Sequence, residues 1–293
     1  MSECKIKLGK LALKNPVVLA SGTFDRTITN HIDVNLLGAI TTKTITLQPL
    51  AGNPLPHIVK TKYGFLNSVG LKNPGLKKYL KDELPFWQRF NVAIISSIGG
   101  HSEKEYIELA KKLNDRTEAI EVNVSCPNVE NGLIFGTDPN ILKKLVSKIR
   151  KVYHNTLIVK LTPNVTDITI TAKAALDGGA DVLTLPNTFL GLEIDTQKKK
   201  AKLYKKVGGY SGPAIKPLAL RCVFEVYNRF KCPIIGGGGI VNFKDALEFV
   251  MVGASAIFIG SSSYLNPKTS QNIAKNFLKF FKNNDINKIK GII

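Results

Sequence analysis

Short apolar runs recur along this chain, near residues 16–21, 38–42, 92–98, 119–124, 157–161, 181–185, 233–236 and 256–260. Each is strand-sized and ends in polar residues, glycine or proline. Between them lie stretches with helical spacing of apolar positions, near 30–37, 75–81, 103–114, 139–152, 167–178, 216–230, 243–252 and 269–282. Eight strands alternating with eight helices predict an α/β fold, a single (β/α)8 TIM barrel, with a doubly wound sheet as the competitor. No linker or low-complexity run divides residues 1–293, so one domain is expected. Long loops are expected after strands 2, 4 and 6. Residues 43–91 carry Asn67-Ser68-Val69-Gly70-Leu71-Lys72-Asn73-Pro74-Gly75, and residues 186–215 carry Gly208-Gly209-Tyr210-Ser211-Gly212-Pro213. Connections this long are usually functional or disordered, and these leave the carboxyl ends of strands, where barrels place their chemistry.

The fourth strand delivers the most reactive stretch, Glu121-Val122-Asn123-Val124-Ser125-Cys126-Pro127-Asn128. Pro127 lacks a ladder donor and ends the strand, leaving a thiol and two amides at the mouth. Cys126 has three readings: a small core residue, a nucleophile, or a general acid or base with an ordinary thiol pKa of about 8.5. None of the four histidines (His31, His57, His101, His154) is near it in sequence. The third reading suits the flanking asparagines, which donate to and accept from a planar amide or carboxylate. Lys43 and Lys160 sit in otherwise apolar strand ends, where an anion in the mouth would offset their burial and snorkelling to solvent is the alternative. Gly236-Gly237-Gly238-Gly239 and Gly260-Ser261-Ser262 end the seventh and eighth strands. They read as a phosphate cradle or simply as tight turns.

Composition narrows the setting. Lysine and arginine total 41 against 22 acidic residues, a net charge of +19. The lysines are scattered without interleaved aromatics, so an anionic substrate, cofactor or acidic partner suits them better than nucleic acid. Cys4, Cys126, Cys222 and Cys232 form no Cys-x-x-Cys pair, which argues against a disulfide framework, a zinc site or an iron–sulfur cluster held by this chain. No apolar run is long enough to span a membrane and no signal-peptide pattern opens the chain, so a cytoplasmic protein is expected.

Four runs together carry a resemblance: Asn123-Val-Ser-Cys-Pro-Asn-Val129 followed by Phe135-Gly-Thr-Asp-Pro139, the Asn67–Gly75 run, Lys160-Leu-Thr-Pro-Asn-Val-Thr-Asp-Ile168, and Gly208-Gly-Tyr-Ser-Gly-Pro-Ala-Ile-Lys-Pro217. They resemble class 1 dihydroorotate dehydrogenases, FMN-binding barrels that oxidise dihydroorotate to orotate in pyrimidine (UMP) synthesis. The resemblance implies Cys126 as the base removing the C5 proton while hydride leaves C6 for flavin N5, with Lys43 touching both flavin and substrate. It implies a substrate site of Lys43, Asn67, Ser68, Val69, Gly70, Leu71, Asn123, Asn128, Asn187 and Thr188. It implies FMN held by Ser21, Lys43, Thr44, Asn123, Lys160, Pro186, Gly212, Gly238, Gly239, Gly260 and Ser261, the last four around its phosphate, and no metal. The loop after Cys126 is expected to act as a lid.

The Phe135–Pro139 and Gly208–Pro217 runs resemble the B type. That type pairs a homodimer of this chain with an electron-transfer subunit carrying FAD and an iron–sulfur cluster, in a heterotetramer that reduces NAD. The A type, which reduces fumarate, is the first alternative. A tRNA dihydrouridine synthase and a non-catalytic barrel are the others. The chain departs from the B-type pattern at Asp25-Arg26, Ser97, Pro186 and Gly237, which bears on individual flavin contacts and on the acceptor.

Overall fold

The computed structural model describes residues 6–125, 132–282 and 284–293. Eight parallel strands close into a barrel in chain order: β1 (Val17–Leu19), β2 (Ala39–Thr41), β3 (Ala93–Ile98), β4 (Ala119–Asn123), β5 (Thr156–Lys160), β6 (Val182–Leu185), β7 (Ile234–Gly237) and β8 (Ala256–Ile259), with β8 hydrogen-bonded back to β1. Helices cover the outside, which is why the strands are apolar on both faces and nearly all of their residues are buried. The doubly wound alternative is thereby excluded.

Side-chain caps fix where the helices begin. Ser102, Asp138 and Asp167 each accept from backbone amides of the first turn of helices Glu103–Leu113, Pro139–Arg150 and Ile168–Asp177. Asn242 and Asp245 form a reciprocal capping box on Phe243–Met251. The expected helix over 30–37 is instead two short 3₁₀ turns, Arg26–Asn30 and Val34–Leu36. Asp25 and Asp33 capture the amides of Thr27 and Asn35, so each turn is restarted before it can lengthen. The helix expected from residue 75 continues through a π-helical turn, Tyr79–Glu83, into Leu84–Trp87, where Pro85 supplies no amide.

Two features lie outside the predicted elements. A hairpin, Ile6–Leu8 with Leu11–Leu13, turns at Gly9 against the amino-terminal ends of the strands. The Lys10 and Leu11 amides donate to Thr156 Oγ1 at the start of β5. The second feature is an antiparallel sheet in the order Phe189–Leu192, Val207–Ser211, Phe65–Asn67, Ile58–Lys60. It is built from the two long segments after β2 and β6, so the stretches expected as loops are spliced into one wall over the carboxyl-terminal mouth. The strands meet closely at Gly209, where a Cβ would lie 2.1 Å from Thr188 Oγ1, a position only glycine can occupy. The segment after β4 is described only from residue 132 onward, so the expected lid lies largely outside the described residues.

Candidate active site

A cavity opens at the carboxyl-terminal ends of the strands, beneath the outer sheet. Its floor is tied together by side chains from five strand ends. Ser21, after β1, lies 3.2 Å from Thr44 Oγ1 and accepts from the Thr44 amide. Thr44 Oγ1 lies 2.8 Å from Ser97 Oγ of β3 and accepts from Asn123 Nδ2 of β4 at 3.2 Å. Asn123 Oδ1 accepts from the Ser125 amide and hydroxyl, and Asn187 Nδ2, after β6, donates to Ser125 Oγ at 2.5 Å. This chain of hydrogen bonds spans the mouth from β1 to β6 and holds the asparagines in fixed orientations.

Two ammonium groups line the same cavity. Lys43 passes over Gly22, where a Cβ would lie 3.3 Å from its Nζ. Lys160 points inward from β5, its side chain 8% exposed, 3.9 Å from the carboxylate of Glu121 on β4 and 5.2 Å from the ring centre of Phe258. The carboxylate offsets part of the cost of burying the ammonium. Glu121 is 3% exposed, and its Oε1 has no hydrogen-bond partner.

At the other side of the cavity, Gly212, Gly238, Gly239, Gly260 and Ser261 converge from the end of the outer-sheet strand Val207–Ser211 and from the ends of β7 and β8. Gly239 (φ +79°) lies so close to the neighbouring segment that a Cβ would come 2.9 Å from Gly212 O and 3.0 Å from the Lys216 amide. Beside them the buried Ser262 hydroxyl, which also lines the cavity, has no hydrogen-bond partner. Bare backbone and an unsatisfied hydroxyl at three adjacent strand ends fit the phosphate of an FMN-sized ligand. The two lysines fit the electron-rich edge of its ring.

The cavity thus gathers Ser21, Lys43, Thr44, Asn67, Val69, Gly70, Leu71, Asn123, Lys160, Pro186, Asn187, Thr188, Gly212, Gly238, Gly239, Gly260 and Ser261, all expected there. Ser68 is not among the lining residues. It is 1% exposed, and its hydroxyl accepts from Asn53. Cys126 and Asn128 lie outside the described residues. Sequence reasoning missed the aromatic walls Phe65, Phe258 and Tyr264. Phe65 and Tyr264 meet edge to face at 5.6 Å, and Tyr264 donates to Gly22 O while burial pushes its phenol pKa upward. It also missed the Glu121 carboxylate, whose only signal was a charge inside an apolar strand.

The departures from pattern have local explanations. Asp25 caps the turn after β1, and Arg26 pairs with Glu83 at 2.9 Å; neither lines the cavity. Ser97 is fully buried in the hydrogen-bonded floor. At Gly237 a Cβ would lie 2.8 Å from Phe258 ring atoms, so the Phe258 ring fills the space a larger residue would need.

Comparison with known proteins agrees with this geometry. The family model described as dihydroorotate dehydrogenase matches residues 3–281. The catalytic subunit of dihydroorotate dehydrogenase B (NAD(+)) from Alkaliphilus metalliredigens (strain QYMF) is 44% identical over 98% of this chain and 97% of its own length. The protein of the same name from Thermoanaerobacter pseudethanolicus (strain ATCC 33223 / 39E) is 45% identical over 99% and 97%. Among solved structures, the Eimeria tenella dihydroorotate dehydrogenase in complex with ferulenol matches with a TM-score of 0.80 at 22% identity, covering 100% of this chain and 89% of that one, a likeness of fold. With that match over nearly its full length, the chain belongs to the dihydroorotate dehydrogenase family of oxidoreductases.

Proposed function

We propose that this chain oxidises dihydroorotate to orotate in pyrimidine synthesis, as the FMN-bearing catalytic subunit of an NAD-linked enzyme. The observation that carries the proposal is one cavity bounded by two lysines, a fixed set of asparagines and a glycine cradle at the carboxyl end of a closed barrel. Ser21, Thr44, Lys160, Pro186, Gly212, Gly238, Gly239, Gly260 and Ser261 would hold FMN. When bound, FMN supplies the acceptor for the hydride that leaves C6 of the substrate.

The remaining chemistry falls to the chain itself. Asn67, Asn123, Asn187 and Thr188 present amide and hydroxyl groups suited to a planar ring bearing a carboxylate and two carbonyls. Asn67 is held by donation to Gly209 O at 3.0 Å, and Asn187 by Ser125 and by its acceptance from the Thr188 amide. Held this way, they orient the substrate without rearranging. Lys43 would place its positive charge beside the substrate and the cofactor ring. Cys126 would remove the C5 proton. Its support is the motif it stands in and the buried Val124 and Ser125 that lead to it from β4. The outer sheet limits access of water to the mouth. The curated relatives are named catalytic subunits of an NAD(+)-linked enzyme, which supports a partner subunit; FAD and an iron–sulfur cluster in that partner would take the electrons on to NAD.

The test is anaerobic addition of dihydroorotate to the purified flavin-loaded chain. The flavin band should bleach, and neither fumarate nor NAD should restore it without the partner. In Cys126→Ala, dihydroorotate should still bind while bleaching slows by about 10²–10⁴-fold, the range of a general base. Unchanged bleaching in that variant removes Cys126 from its role, and recovery with fumarate alone makes the enzyme A-type.

A further inference from the structure

Lys216 stands at the start of helix Lys216–Phe230, directly beside the glycine cradle, where a cation would be expected to bind phosphate. Its ammonium is turned elsewhere. Lys216 Nζ contacts Asp245 Oδ1 at 2.7 Å and Glu248 Oε2 at 2.9 Å, both on helix Phe243–Met251. The hydrogen bond it donates to Asp245 is the main influence raising its pKa, with Glu248 adding to it. The other Asp245 oxygen accepts from the Val241 and Asn242 amides at 3.0 and 3.2 Å, and the Asp245 amide donates back to Asn242 Oδ1. One carboxylate, 7% exposed, therefore joins two strand-end segments. It ties the loop that follows Gly238-Gly239 to the residue that follows Gly212-Pro213. These are the two segments that approach each other at Gly239, where a Cβ would lie 2.9 Å from Gly212 O and 3.0 Å from the Lys216 amide.

We infer that Asp245 and Lys216 are positioning residues of the anion cradle. The carboxylate locks the β7 loop against the start of the following helix, so a phosphate monoester is recognised by preset backbone amides and hydroxyls, and Lys216 acts as a strut rather than a ligand. The inference rests on the FMN reading above and deepens it. It makes a division that an ordinary helix cap would not. A cap lost from Phe243–Met251 would loosen the barrel for any ligand, whereas a displaced cradle penalises only a ligand that carries the phosphate.

Riboflavin, which lacks the phosphate, makes the division measurable. Asp245→Asn retains an oxygen for the Val241 and Asn242 amides but loses the nearer of the two carboxylate charges that hold Lys216. FMN and riboflavin affinities are measured by flavin fluorescence on the deflavinated protein. The expected result is FMN binding weaker by roughly tenfold or more, the scale of one charge-assisted hydrogen bond, with riboflavin binding unchanged. Lys216→Met, which keeps the methylene stem, should show the same selective loss, and the double variant should be no worse than the poorer single one. Equal loss of FMN and riboflavin would reduce the pair to a structural cap. Tighter FMN binding in Asp245→Asn would make Lys216 a phosphate ligand restrained by Asp245, and would likewise overturn the inference. Should Asp245→Asn fail to fold, Lys216→Met decides alone by the same comparison. A wild-type chain that binds no FMN would overturn the functional reading and this inference with it, whereas the variant outcomes above overturn this inference alone.

Discussion

The two ends of the barrel are built on opposite principles. At the amino-terminal end the hairpin Ile6–Leu13 closes the strands with leucine: Leu8, Leu11 and Leu13 are buried, and the buried polar anchor, Thr156, has its hydroxyl fully engaged by Lys10, Leu11 and Leu8. At the carboxyl-terminal end, polar side chains face one another across the mouth, and oxygens there or just below, Ser262 Oγ and Glu121 Oε1 among them, have no hydrogen-bond partner. The first end pairs the hydroxyl it buries. The other holds groups in readiness for something not made of protein. In a barrel the first arrangement supplies stability and the second chemistry, and this chain keeps them at opposite ends of the same strands.

Substitutions at each end should therefore move different observables. The largest effect is expected at the mouth. Lys43→Ala should slow flavin reduction by dihydroorotate about 10²–10³-fold, as loss of a preorganised electrostatic group does. Its thermal midpoint should stay near that of the wild type. A substantial fall in midpoint would mean that the lysine belongs to the scaffold, and the contrast would fail there. At the opposite end Leu8→Ala should cost about 2–5 kcal/mol of stability, measured by denaturant unfolding. The surviving folded protein should reduce its flavin at the wild-type rate, and a slower rate would show that the two ends are coupled.

The smallest effect concerns two thiols that take no part at the mouth. Cys222 and Cys232 are buried, and desolvation pushes both pKa values from 9.0 up to about 11. A folded-state pKa above the unfolded value means that their stabilising contribution is complete below pH 9 and is lost as pH rises toward 11. Unfolding midpoints should decline through that window, and the decline should be shallower in Cys222→Ala/Cys232→Ala. An identical decline in the double variant would assign the alkaline loss to other groups.

The barrel was legible because each of its strands is a short apolar run with a hard stop, and the order of strands follows the order of the chain. Residues at the strand ends were legible for the same reason: once β4 and β5 are placed, Asn123 and Lys160 must reach the mouth. What escaped depended on local side-chain capture of amides, on strands too short to show a period, and on partners distant in sequence. Asp33 looks helical until its side chain is seen capturing the Asn35 amide. Strands such as Phe65–Asn67 are three residues long, too short for an alternating pattern to register, and Val207–Ser211 carries glycines that argue against a strand. Glu121 was visible as a charge in an apolar run, but its relation to Lys160 appears only when β4 lies beside β5, where Glu121 is level with Ile158 and Lys160 with Asn123.

The outer sheet has a consequence for how the site comes into being. Asn67 and Gly209, hydrogen-bonded neighbours in the cavity wall, are 142 residues apart in the chain. Four barrel strands, β3 to β6, intervene between them. Closing a loop of that size in a free chain costs on the order of 4 kcal/mol of entropy, which an isolated pairing of short strands does not offset, but closure of the barrel has already brought the two ends together. The wall can therefore assemble only on a finished barrel. A competent binding cavity is then a statement about the integrity of everything between residues 67 and 209, and nascent or partly unfolded chains present no half-formed site at which a ligand could bind or react.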